Sequence, residues 1–354
     1  MTAISKKNRK IKPLKDSYVF IDYLRAFATF FVIVIHNGDT FLSFNQTFSI
    51  EWAYANFLQS FARISVPLFF MISGFLLLKP NLNMKQFYSK RLSRILIPWL
   101  FWSVFYILFR IFFENNQISI LSAIRLIWNG SVFYHLWFIY AVIGLYISIP
   151  FISRFIIENN KQQKFIILFT LIWFVSFSLI PFIGHFGEII LGVSFIPNFY
   201  LKLFTGFIGF ISLGYLIGRL RVSRLGIYAS IILFFFCYLI TVLGNYYYNV
   251  NSSTFSEFFN GYTKPNIVLM AASVFYLFRA VKFKKEVRFI KSICTLSFGI
   301  YLAHPFLIYV FKNLEITQGL FDTNYIIIRT VLIFCSTWFI VYLISKIPIL
   351  KKTI

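Results

Sequence analysis

About ten apolar stretches, each long enough to cross a bilayer, follow one another along this chain with short polar connections between them, and they constrain the fold more than any other feature. They lie near residues 20–37, 57–78, 95–113, 132–153, 165–183, 199–218, 226–244, 266–281, 293–311 and 325–345. The expected fold class is therefore an all-α polytopic integral membrane protein with about ten transmembrane helices. Only 13% of the residues are charged against 59% hydrophobic, too little charge to clothe a soluble surface of this size. One transmembrane domain is expected over residues 1–354, without an appended soluble domain and without an internal repeat.

The formal net charge of +23 would suggest nucleic acid as a partner in a soluble protein. Here the basic residues fall in clusters at every second connection: Lys6 to Lys15, Lys79 to Arg94, Arg154 to Lys164, Arg219 to Arg224, Arg279 to Lys291 and Lys346 to Lys352. The intervening connections hold Asp39, Glu51, Glu114, Glu188, Glu257, Glu315 and Asp322. Basic loops stay on the cytoplasmic side, so the alternation places both termini in the cytoplasm and makes the bilayer, not a nucleic acid, the partner. The first run follows a basic segment, as in a signal peptide, but it carries Asp22, Arg25 and His36 and has no small-residue cleavage site, so it reads as a retained helix. Cys237, Cys294 and Cys335 sit singly in apolar runs, which implies neither a disulfide framework nor a metal site.

Arg25 and His36 stand out because they lie within a run otherwise fit for hydrocarbon. An arginine there costs on the order of 2.5–3.5 kcal/mol, so an intramembrane Arg and His are candidates for function. Eleven helical steps make about three turns, which puts the two on one face roughly 16 Å apart along the axis. Asp22, Thr29, Val32 and Asp39 continue that stripe, and Asp39, one turn after His36, could orient its ring. Arg63 and the FYHLWFIY segment with His135, Trp137 and Tyr140 are expected at the same outer depth as His36, which suggests a site built from three helices. The ordinary alternative for His135 is an interfacial histidine, and for His304, past mid-membrane on the ninth run, a packing residue. A second constellation, Lys90, Arg91 and Arg94 ahead of Pro98, places two guanidinium groups on one helical face, where they could grip phosphate oxygens or simply anchor to lipid headgroups.

These blocks carry a resemblance. IDYLRA followed by His36 resembles the R-x10-H motif of the membrane acyltransferase-3 family. ARISVPLFFMISGFLL, KRLSRILIPW, HLWFIYAVIGLY and SFGIYLAHP are similar to that family's other blocks, in the same order over essentially the whole chain. Within the family the likeness is to the O-acetyltransferase group of enterobacterial common antigen. The resemblance implies an acyltransferase-3 fold and an enzyme of a bacterial cytoplasmic membrane, moving acetyl from acetyl-CoA to a hydroxyl of a cell-surface or lipid-linked glycan. It maps the functional histidine and arginine onto His36 and Arg25, and the R-x-x-R pair onto Arg91 and Arg94. A separate extracytoplasmic transferase is a further implied partner. On this reading Arg91, Arg94 and Lys90 hold the cofactor phosphates, and His36 is general base or transient acyl carrier. Arg63 or His135 would steady the oxyanion, Trp137 and Tyr140 would face the sugar, Asp39 and Asp22 would orient, and no metal is required. The competing class is a transporter or flippase for a glycan or lipid-linked precursor, to which a polar interior is equally suited.

Overall fold

The computed structural model describes residues 19–44, 49–154, 160–191, 205–250, 256–283, 287–313 and 325–354, with the backbone alone described at 39–41, 43–44, 160–163, 186–191 and 205. Every regular element among the described residues is helical. This is what hydrocarbon demands, since a helix satisfies its own backbone N–H and C=O groups where no water can. In chain order the helices are α1 (Val19–Phe44), α2 (Ile50–Ala62), α3 (Ser65–Leu77), α4 (Met84–Phe112), α5 (Ile120–Asn129), α6 (Trp137–Arg154) and α7 (Asn160–Phe174). A π-turn over Val175–Leu179 leads into α8 (Ile180–Leu191), and α9 (Thr205–Ile217), α10 (Arg224–Val250), α11 (Pro265–Ala280), α12 (Arg288–Asn313) and α13 (Ile326–Ile344) follow.

Among the described residues eight helical segments are long and apolar enough to span a membrane, and the chain is a polytopic membrane protein. The other two expected runs fall on α9, of 13 described residues, and α11, of 16. At 1.5 Å per residue α11 is about 24 Å long, short of a hydrocarbon core of about 30 Å. Residues 199–204 of the sixth expected run, the N-terminal segment with its basic cluster, and the acidic residues Glu315 and Asp322 lie outside the described residues.

Burial separates an inner set of helices from an outer one. In the spans of α2–α3, α12 and α1, 72%, 61% and 56% of the apolar window is buried, against 17% in α10. Phe235, Phe236, Leu239 and Leu243 of α10 are exposed, as lipid-facing residues must be. Helix α1 is at the centre, packed by α2, α3, α11, α12 and α13. Helix α9 approaches α3 backbone to backbone: a side chain at Gly74 would run into the Ile211 carbonyl, and one at Gly214 into the Met71 carbonyl. Such small-residue contacts are how helices gain packing in lipid, where no hydrophobic force draws them together.

The second expected span is two helices. Ser49 caps α2 by accepting from the Trp52 N–H at 3.1 Å, and the helix ends at Arg63, where the chain turns before α3 begins at Ser65. The third starts well before its apolar run: Asn83 accepts from the Gln86 N–H at 3.0 Å to cap α4, so Lys90, Arg91 and Arg94 are helical residues.

Candidate functional site

Arg25, Val32 and His36 of the α1 stripe line one cavity, which meets a second at His36. The smaller, about 240 Å³, extends along α1 from Arg25 past Val32 to His36, with Arg91 and Arg94 of α4 at its basic end and His135, Trp137 and Tyr262 at the other. Its walls are largely apolar, from Phe69 and Ile72 of α3 to Phe298 of α12, with Ser73 and Ser297 among them. The larger, about 780 Å³, is lined by His36, Trp137 and Tyr262 together with Arg63, Tyr134, Glu257 and Lys312. Arg25, Arg91 and Arg94 all line the smaller cavity. Arg91 and Arg94 have no ion pair among the described residues, leaving two guanidinium forks for an anionic ligand.

His36 is one of three neighbouring imidazoles. Its ring lies 5.3 Å from that of His304, with planes 28° apart, and His304 lies 5.5 Å from His135. The His304 tautomer follows from its surroundings. Pro305 has no N–H to give to the Tyr301 carbonyl four residues back, and the Nδ1 of His304 lies 2.6 Å from that oxygen. A carbonyl can only accept, so Nδ1 carries the proton and Nε2 the lone pair. Tyr301 in turn donates its hydroxyl to the His135 carbonyl, tying the segment before α6 to α12. The structure therefore sets His304, a possible site residue by its sequence position with packing as the ordinary alternative, beside His36.

Both neighbours of His36 are fastened from other helices. Gln59 of α2 donates to the Ile35 carbonyl at 2.6 Å, and a side chain at Gly38 would occupy the space that amide needs. Arg329 of α13, only 1% exposed, donates Nε to Asn37 Oδ1 at 2.6 Å and Nη2 to the Asn37 carbonyl at 3.0 Å. The Asn37 amide donates to Thr330 Oγ1 at 2.8 Å. Sequence reasoning missed Arg329, although the test that flagged Arg25, a cation inside an apolar run, applies to it equally. Tyr262 and Gln59 carry no comparable signal.

Several expected roles are corrected. Asp22, expected to orient, pairs with Lys291 Nζ at 2.9 Å and accepts the Cys294 thiol at 2.9 Å, at the Arg25 end of α1. Arg25 Nη1 reaches that thiol at 3.7 Å, so Asp22 acts on the arginine's surroundings. Tyr140 is outside both cavities, its hydroxyl donated to the Ile127 carbonyl and its ring against Trp99. Lys90 is exposed and lines neither cavity. The Asp39 side chain lies outside the described residues. Arg63 lines the larger cavity only, where it pairs with Glu257 and sits 5.8 Å from the Tyr262 ring centre. On the same segment burial pushes the Lys264 amine down to about 8, with its Nζ 3.7 Å from the Phe258 ring centre.

The arrangement is a passage with a cationic grip at one end, an imidazole cluster in the middle and an aromatic, polar vestibule beyond. It can hold an anionic carrier at one side and a second substrate at the other, with a base between them. Neither the curated proteins nor the solved structures yield a match to the chain. The family model described as an acyltransferase domain matches residues 18–345, a span that contains every element of the passage, and the chain accordingly belongs to the acyltransferase-3 family.

Proposed function

We propose that this membrane acyltransferase moves acetyl from acetyl-CoA to a hydroxyl of a cell-surface or lipid-linked glycan. The observation that carries the reading is the position of His36, an imidazole shared by a cavity lined by three arginines and a separate vestibule. The nucleotide phosphates are held by Arg91 and Arg94, with Arg25 beside them, each charge-assisted bond being worth about 1.5–3 kcal/mol. The pantetheine arm follows the apolar walls toward His36, and the acceptor enters the vestibule, where Tyr134, Trp137 and Tyr262 offer flat faces to a sugar.

His36 takes the proton from the acceptor hydroxyl as its oxygen forms a C–O bond to the thioester carbonyl carbon. The C–S bond breaks, the thiolate leaves with the electron pair, and the proton passes from His36 to sulfur. Arg63 from the vestibule side, or His135 from the smaller cavity, steadies charge on the carbonyl oxygen. The basic connections set the Arg91 and Arg94 end in the cytoplasm of a bacterial cell, with both termini on that side. The block resemblance points to a polysaccharide of the enterobacterial common antigen kind as acceptor, and a separate extracytoplasmic transferase is a compatible partner.

Release of CoA thiol tests the reading, with the protein in liposomes, acetyl-CoA on the basic side and glycan on the other. His36→Ala should lower turnover by about 10²–10⁴, the usual worth of a general base. Glycan movement without consumption of acetyl-CoA would establish transport instead, and full turnover in His36→Ala would remove the proposed centre.

A further inference from the structure

The two cavities share three lining residues, His36, Trp137 and Tyr262, which come from α1, the first residue of α6 and the segment ahead of α11. Trp137 and Tyr262 stack with ring centres 5.7 Å apart and planes 29° apart, and Trp137 also stacks on Phe207 at 5.6 Å. Tyr262 is braced by Arg63, which lines the larger cavity and not the smaller. The same guanidinium pairs with Glu257, five residues before Tyr262 on its own segment, so one arginine holds the segment and the ring together.

A base beside a thioester has no chemical means of preferring an alcohol over water. Either oxygen can form the C–O bond, with C–S cleavage and transfer of its proton to sulfur, giving an ester in one case and acetic acid in the other, with CoA thiol in both. Selectivity has to come from keeping water out of the thioester's compartment until the acceptor is in place. We propose that the Trp137–Tyr262 stack, braced by Arg63 and Glu257, is the partition between the two compartments, and that Tyr262 thereby decides transfer over hydrolysis. The proposal rests on the acyltransferase reading for its chemistry, but the partition itself is a matter of access.

The two parts are tested separately. In protein whose three cysteines are changed to serine, Ser73→Cys reports on the smaller cavity to a small membrane-impermeant thiol reagent added on the vestibule side. Labelling should be slow with Tyr262 or Tyr262→Phe and rise about tenfold in Tyr262→Ala, the population change expected on losing one aromatic pair. Glu257→Gln, which loosens the brace and keeps both rings, should give a smaller rise and replaces Tyr262→Ala if that variant does not fold. With native cysteines and acetyl-CoA as the sole substrate, Tyr262→Ala should release CoA thiol faster than wild type, and Tyr262→Phe should not. Unchanged labelling in Tyr262→Ala and Glu257→Gln overturns the partition. A labelling gain without faster CoA release in Tyr262→Ala upholds the partition and overturns its control of hydrolysis, whereas no CoA release from any variant even with acceptor glycan added removes the acyltransferase reading beneath it.

Discussion

Replacing Arg329 by methionine should leave the protein folded and yet deprive it of most of its acyl transfer. Arg329 donates two hydrogen bonds to Asn37, at 2.6 and 3.0 Å, and is 1% exposed. Charge-assisted bonds contribute about 1.5–3 kcal/mol each, so their loss costs about 3–6 kcal/mol. Methionine also removes a guanidinium from an apolar run, where insertion costs about 2.5–3.5 kcal/mol. The two effects nearly offset, which leaves a net destabilisation of about 0–3 kcal/mol, within the stability of an ordinary domain. Activity has no such offset. His36 precedes Asn37, which keeps its amide bond to Thr330 but loses both guanidinium donors to its two oxygens, and a displacement of about 1 Å in a reacting group can lower the rate about 10²-fold. Thermal unfolding in detergent and CoA thiol release with acetyl-CoA and glycan should therefore separate, with a modest shift in Tm beside a loss of about 10² in kcat/KM. Arg329→Lys should rescue little, because an ammonium cannot fork to both Asn37 oxygens. Wild-type turnover in Arg329→Met at near-native Tm would refute the idea that this clamp positions His36.

Arg91→Ala with Arg94→Ala should weaken acetyl-CoA binding by about 3–6 kcal/mol in calorimetry, and Lys90→Ala, off the cavity, should not change it; equal effects would return all three to headgroup anchors. Gly214→Val drives a side chain into the Met71 carbonyl and should destabilise by about 1–3 kcal/mol, so an unchanged Tm would contradict the close α3–α9 approach. Burial holds Lys264 at about 8, down from its ordinary 10.5. The unfolded chain then binds more protons between about pH 8 and 10.5, so stability gains with pH there. Lys264→Met should unfold at higher temperature than wild type at pH 7, by a margin that narrows as pH rises past 8; a constant margin would show that Lys264 does not titrate in that window.

The spanning helices were legible because a bilayer enforces them locally: an apolar run must be helical whatever its neighbours do. Their ends were less so. Helices α2 and α4 begin at Ile50 and Met84, ahead of their apolar runs, because Ser49 and Asn83 can cap a helix outside hydrocarbon as well as within it. Arg25, His36, Arg91 and Arg94 were also legible, since spacing along one helix sets the face they share, and the cost of a cation in hydrocarbon singles out the first two.

What the sequence by itself determined, then, is the class of fold and the stripe on α1 that carries Arg25, Val32 and His36. The tertiary structure decided which other residues meet that stripe. Depth does not specify the direction a side chain takes around its helix axis, so Tyr140 turned to Ile127 while Tyr262, from a connection with no periodic signal, reached His36's compartment. Asp22 found Lys291 and Cys294 across 269 and 272 residues of chain, and Arg329 found Asn37 across 292. Such pairings are set by how helices pack in lipid, through contacts like Gly74 on Ile211 that gain their energy only once both helices are in place.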